Sequence, residues 1–302
     1  MPANPMNSGA FSQLISKDFS NITLDNYNDM PTMFDKVANV TTTQDAYIRE
    51  GQMMGLTALQ AAGEGQPVNF ESFTQGNEKT VYPTLFQLGV AITQIMYDDD
   101  KTGYMKKAFA ELGKAAAYTK ELKFWDIFNA GFVTTTRTGI DSAALFASHT
   151  LLGGGTYSNY ASSAGALSMT TLQSGLNAFA KMVKENSVPC PTKAALLIVP
   201  PELRMTAEKL TKNEFNPENA NNEKNYSEVT GLQFMSVPFL TSTTAWFLLS
   251  EKSMHDLRFI WRKQLQLTAQ DDFVTSTAMF KATMRFIATF YNYRGTYGNA
   301  GA

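Results

Sequence analysis

The sequence predicts an α+β fold drawn out along one long helix, and three observations predict it. Residues 98–131 (DDDKTGYMKKAFAELGKAAAYTKELKFWDIFNAG) place Met105, Phe109, Leu112, Ala116, Leu122, Trp125 and Phe128 in one stripe at helical spacing. Residues 278–293 alternate strictly, with Phe280, Ala282, Met284, Phe286, Ala288 and Phe290 on one face and Lys281, Thr283, Arg285, Ile287, Thr289 and Tyr291 on the other. Between them, residues 140–255 run helix, strand, helix, strand, strand, which is an α/β unit. At about 1.5 Å per residue the helix reaches roughly 45–50 Å, and the strand, at about 3.3 Å per residue, roughly 50 Å. A matched long helix and long strand, far apart in sequence, imply an elongated domain made from both.

Each element follows from local chemistry. Residues 1–45 are polar, with anchors at Phe11, Leu14, Ile15, Phe19, Tyr27, Met33, Phe34 and Val37. They predict an arm laid along another surface. Ala46–Met54 can begin a strand, and Leu56–Ala62 reads as a helical turn or a strand. Gly63, Gly65, Pro67 and Gly76 then punctuate a hairpin whose polar tip is placed at Gln75–Lys79. Tyr82–Tyr97 reads as strand. Asp98, Asp99 and Asp100 are N-cap candidates for the long helix, Gly131 is its stop, and Gly103 and Gly113 are points where it can bend. Lys106, Lys107, Lys114, Lys120 and Lys123 fall mainly off its apolar stripe.

Beyond it, Val133–Thr138 is strand-like or a crossover, and Ala144–Gly165 reads as loop. Ser168 caps a helix striped by Leu172, Leu176, Phe179, Met182 and Val183. The apolar run Ala194–Val199 predicts a buried strand, and Pro201 opens the next helix. Residues 215–227 are a polar loop, and 231–237 and 244–250 are two more strands. Leu257–Leu267 alternates and joins the closing strand.

Composition bounds the function. The chain of 302 residues is 44% hydrophobic and only 17% charged, so further surface is expected to be buried against partners. A net charge of −2 argues against electrostatic coating of nucleic acid, although a protein that merely encloses DNA need not be basic. The one cysteine, Cys190, forms no intrachain disulfide and no paired metal motif, which fits a cytosolic assembly environment. No apolar run approaches a membrane span, and the start MPANPMNSGAFSQ lacks the basic and apolar regions of a signal peptide.

Catalytic readings are weak. His149 and His255 have no spaced partner. Ser148–His149 with Asp141 lacks the GxSxG elbow of a hydrolase, and Gly153–Gly155 lacks the Lys-Ser/Thr of a P-loop. No catalytic residue, cofactor or metal site is expected.

The order of elements resembles the HK97-type major capsid proteins of tailed bacteriophages, and more narrowly the Mu-like major head subunits. The segments that carry the likeness are FWDIFNAGF at the end of the long helix, LFASHTLLGGGTYSN after it, the LLIVPPEL junction at 196–203, and GLQFMSVPFLTSTTAWFLLS at 231–250. It covers nearly the whole chain. The resemblance implies an N-terminal arm (1–45), an extended loop (46–88), a peripheral domain with the spine helix (89–135), an axial domain (136–258) and closing peripheral strands (259–302). It also implies a shell of hexamers and pentamers enclosing double-stranded DNA, found in the virion and assembled in the host cytoplasm. Scaffolding, portal and decoration proteins are further partners to look for, and a nanocompartment shell around protein cargo is the alternative.

Contacts between subunits are expected at Phe11 and Phe19 in the arm, clamped under a neighbouring spine helix, and at Gln75, Glu78 and Lys79 over an adjacent subunit. Loops near 151–165 and 213–228 are candidates for symmetry-axis contacts. Some members of the family join a loop lysine to an asparagine of a neighbour. Lys79 and Asn292 are the matching residue types, but a solvated tip lysine, or a salt-bridge donor to the next subunit, is the expectation here.

Overall fold

The structure is a computed structural model. It describes residues 8–302 except 94, 97, 98, 101, 102, 135, 191, 213–230 and 273–276, and within the first helix it describes side chains from Phe19 onward. Two four-stranded sheets frame the chain. In the first, the order is β1 (Asn39–Thr42), β10 (Leu257–Asp272), β11 (Thr277–Phe290), β4 (Thr84–Thr93), with β1 parallel to β10 and the other pairs antiparallel. In the second, it is β12 (Thr296–Asn299), β9 (Trp246–Leu249), β7 (Leu196–Val199), β8 (Gln233–Ser236), with only β7 and β8 parallel. The segment after residue 259 is therefore divided, since β12 returns to the second sheet instead of closing the first.

The long helix, α3 (Tyr104–Asn129), lies against the first sheet. Its backbone starts at Gly103, whose φ of 69° is left-handed. The cap comes from Asp100, whose two carboxylate oxygens accept from the N–H groups of Tyr104 and Met105 at 3.1 Å each. Asp98 lies outside the described residues. Met105, Phe109, Leu112, Ala116, Trp125 and Phe128 are buried as their spacing predicts, whereas Leu122 is 41% exposed. Lys120 and Glu121 are buried instead.

The apolar face of β11 is realised in full, because Phe280, Ala282, Met284, Phe286, Ala288 and Phe290 are all buried, while at the end of the strand Thr289 and Tyr291 of the other face are buried as well. Side chains such as Phe109, Trp125, Phe286 and Phe290 each contribute about 1.5–3 kcal/mol on full burial. Trp125 and Phe128 at the end of α3 join Phe259 and Phe286 of the first sheet to Ile198, Phe247 and Leu249 of the second in one core. A second cluster fills the α/β unit around Leu172, Leu197 and Trp246.

Much of the N-terminal arm is a helix, α1 (Ser8–Asp29), which its sequence pattern did not reveal. It crosses α3 at Gly113, where an added Cβ would come within 2.2 Å of the Thr23 carbonyl oxygen. Gly113 thus marks a close helix–helix approach instead of a bend. The Thr23 hydroxyl donates to the carbonyls of Phe19 (2.9 Å) and Phe109 (3.2 Å) across this crossing. A short helix, α2 (Phe34–Val37), follows.

In the α/β unit, Ser168 and Thr171 form a reciprocal cap on α4 (Met169–Ala180), and Pro201 opens a 3-10 turn leading into α5 (Arg204–Lys212). Residues 148–158, expected as loop, form a hairpin of β5 (Ser148–Thr150) and β6 (Thr156–Ser158). Val133–Thr138 has no strand among its described residues, and 213–228 lies outside them.

Candidate assembly surfaces

The projecting hairpin is built from β2 (Ile48–Met54) and β3 (Thr74–Val81), antiparallel. Gln75–Lys79 therefore lies on a strand, and residues 55–73 form the tip. Leu56–Ala62 is neither helix nor strand, because no neighbouring strand pairs with it. The turn residues run all along this segment, so they did not fix which part would be the tip. The tip exposes Leu56, Leu59, Val68, Phe70 and Phe73, with Phe70 90% exposed. Its only charged residues are Glu64 and Glu71. The Glu71 carboxylate accepts from the Thr57 N–H at 2.8 Å and from the Thr57 hydroxyl, which ties the two sides of the tip together.

Lys79 is half-buried, not a solvated tip. Its ammonium donates to the carbonyls of Thr138 (2.6 Å) and Phe290 (2.7 Å) and to the Thr289 hydroxyl (3.1 Å). Burial, aided by the nearby Arg137 charge, lowers its pKa to about 8 against the pull of Asp256 and Asp141. Directly across the hairpin from Lys79 is Glu50, which pairs with Arg258. Arg258 and Thr289 are themselves register partners in the first sheet. One rung of the hairpin, Glu50–Lys79, thus meets one rung of the sheet, Arg258–Thr289.

Arg258 also holds Asp256 at 2.5 Å, and Asp256 accepts the Asn292 N–H at 3.2 Å. Burial raises the Asp256 pKa, only partly offset by Arg258. Gln75 donates to Glu78 at 2.7 Å, and Glu78 pairs with Arg49, so both sit in the hairpin's own ladder. Farther out, Asn186 donates to the Leu56 carbonyl at 2.7 Å.

Phe19 lies in this chain's own core. Its ring stacks on Phe109 at 4.2 Å and meets Phe280 edge-on at 5.9 Å, beneath its own spine helix. The side chain of Phe11 lies outside the described residues.

Glu121 is a buried group that periodicity did not reveal. Its carboxylate accepts from the N–H groups of Met33 (2.6 Å) and Phe34 (3.2 Å) and from the Trp125 indole (2.8 Å), so it caps α2 from a distant helix. Beside it, the Lys120 ammonium sits over the Tyr27 ring at 3.9 Å.

The His149–Asp141 pair is structural. His149 is fully buried, with Nδ1 2.5 Å from Asp141 and Nε2 3.2 Å from the Asn159 amide oxygen, and its ring stacks on Tyr293. Burial alone would raise the Asp141 pKa, but the His149 contact and backbone N–H groups together outweigh it and hold the pKa low. Ser148 is exposed on the alternate side of β5, so the three residues do not assemble a nucleophile and base. Among the described residues, no group of three or more His, Cys, Asp or Glu side chains could hold a metal ion. None of the described helices is long and apolar enough to cross a membrane.

Residues 78–299 match the family model of phage capsid proteins, a description not narrowed to the Mu-like head subunits. No match is found among curated proteins. Among solved structures, the chain is similar to the capsid of the cyanophage P-SCSP1u, with 13% identity, TM-score 0.57, and 90% of this chain and 88% of that one covered. It is similar to the mature capsid of bacteriophage PhiM1, with 11% identity, TM-score 0.57, and coverage of 89% and 86%. It also shares its fold with a virus-like particle from Pyrococcus furiosus, with 9% identity, TM-score 0.56, and coverage of 94% and 98%. The family match spans well over half of the sequence, and the fold agrees with these solved capsids over most of the chain: the chain belongs to the phage capsid proteins and has the HK97-type fold.

Proposed function

We propose that this chain is the major head subunit of a tailed phage. Copies associate as hexamers and pentamers, close an icosahedral shell around double-stranded DNA, and assemble in the host cytoplasm before residing in the virion. The observation that carries the reading, within a family of capsid proteins, is the tip at residues 55–73. It exposes five large apolar side chains and has no strand partner among the described residues of its own chain. Contiguous exposed apolar surface of this kind marks an interaction site, and in a shell the adjacent subunit covers it. The axial loop at 151–155 is a candidate for contacts around the capsomer axis.

Electron microscopy of the purified chain, and of particles from infected cells, tests the proposal. Closed polyhedral shells, filled with DNA in the infected sample, are expected. Shells filled with protein would replace the phage head by a nanocompartment. A small monodisperse oligomer in both samples would overturn the shell reading.

A further inference from the structure

The face of the first sheet turned away from α3 carries an unbalanced charge. Lys263 of β10 lies directly opposite Arg285 of β11, and Arg285 lies directly opposite Leu85 of β4. Like charges facing each other across strands destabilise a sheet. The ladder slips between Trp261 and Lys263, leaving Arg262 as an extra residue at the irregularity. All three cations line one cleft of about 590 Å³, together with Pro83 and Leu85. Leu85 is 55% exposed. Arg285 donates from Nε to the Pro83 carbonyl at 3.0 Å. None of the three cations forms an ion pair with a described residue. Three uncompensated cations beside an exposed leucine call for a partner that is both acidic and apolar.

One segment of this chain has that chemistry. The tip at 55–73 has Glu64 and Glu71 as its only charges, among exposed Leu59, Val68 and Phe70. Its own cleft lies in the wrong direction. Along β11 and beyond, Arg285 comes first, then the hairpin crossing at Thr289 and Phe290, then Arg294, bound to Glu185 at 2.7 Å. Asn186, next to Glu185, holds the base of the tip at Leu56. The hairpin therefore leaves its crossing away from the Lys263–Arg285 rung.

We propose that the Arg262–Lys263–Arg285 cleft receives the acidic, apolar tip of a second copy. The assignment rests on the shell reading and names where on the neighbour the tip lands. A contact of this kind joins two different surfaces, tip and cleft. Repeated head to tail, such contacts close into rings when the rotation allows.

The test uses the full-length chain expressed alone. The neutral variant Lys263→Gln/Arg285→Gln relieves the like-charge rung but gives up the Arg285–Pro83 hydrogen bond, so its urea midpoint is expected to stay near that of wild type. Its multimeric fraction in sedimentation is nevertheless expected to fall at least tenfold. Lys263→Glu/Arg285→Glu is expected to assemble as poorly, and combining it with Glu64→Lys, which leaves the Glu71–Thr57 tie in place, is expected to restore multimers. A photo-crosslinker at Phe70 is expected to mark cleft residues of another copy.

Wild-type levels of multimer in the neutral variant, or crosslinks that map elsewhere, would overturn the receptor and leave the shell intact. The same holds for nucleic acid that copurifies with wild type and is lost in Lys263→Gln/Arg285→Gln. A wild-type chain with no multimers would overturn the shell reading, and the receptor with it.

Discussion

Glu121, Lys79 and His255 show what determines whether a polar side chain can be buried here. Glu121 is tolerated because backbone N–H groups from residues 33 and 34 reach it, and leaving such donors unpaired costs about 1–3 kcal/mol each. A 3.6-residue period cannot register this, since the partners come from a segment almost ninety positions away. The apolar stripe of α3 was legible for the complementary reason: Phe109, Trp125 and Phe128 need only to be covered. Gly113 was legible as a glycine but not as a crossing point, which depends on where Thr23 comes to lie. His255 accepts the Leu257 N–H on Nδ1, and burial, reinforced by the Lys252 charge, lowers its pKa to about 4. The unfolded chain takes up this proton near pH 6.5, while the folded chain resists it until about pH 4. The contribution of His255 is therefore complete above pH 6.5 and is lost progressively as the pH falls from 6.5 to 4. Urea midpoints measured from pH 7 to 4 are expected to fall less steeply for His255→Gln than for wild type, and parallel curves would count against this assignment.

Among the elements, β7, β10 and β11 were legible, because alternation or an unbroken apolar run suits only a strand with one or two covered faces. The helix α1 was not. Its polar Asn, Ser and Thr residues are middling helix formers, and what supports it is tertiary: Phe19, Thr23 and Tyr27 meet α3. The hairpin was legible as a hairpin but its tip was misplaced, since the docking of Lys79 and Glu50 sets which residues project. Apart from the Asn186–Leu56 bond farther out, that docking rests on one rung, so it is sensitive to single changes. Lys79→Met removes the donor from the carbonyls of Thr138 and Phe290, and Glu50→Gln removes the charge facing Arg258. In either variant, amide hydrogen exchange of β2 and β3 is expected to accelerate about tenfold, as a loss of about 1.4 kcal/mol implies. Exchange in β7 and β9 is expected to stay at the wild-type rate. Unchanged exchange in β2 and β3 would show that Lys79 and Glu50 do not hold the hairpin.

At the scale of the whole molecule, the order and lengths of the elements were enough to reach the fold, and the family match across 78–299 agrees. The division of the closing segment between two sheets was not legible, because β12 is only four residues long and is placed by its pairing with β9. The tip at 55–73 adds exposed surface and stands outside the core clusters. Replacing residues 57–71 with a Gly-Ser pair is accordingly expected to leave the urea midpoint of the subunit near the wild-type value while abolishing closed shells in micrographs. Normal shells from this variant would remove the hairpin from the assembly mechanism.

The strand order of the first sheet also has a consequence for synthesis. β1 and β4, from residues 39–93, never touch each other and are joined only through β10 and β11, from residues 257–290. A ribosome that has made the first two hundred residues has therefore released two edge strands and a long amphipathic helix, but no centre for them to pair with. Contacts this far apart in sequence form late and slowly. The surface that recognises another copy is completed by the same late strands, because the basic cleft lies on β4, β10 and β11 together. Nascent chains crowded on one message thus lack the proposed cleft, and tip-to-cleft association arrives together with the finished fold.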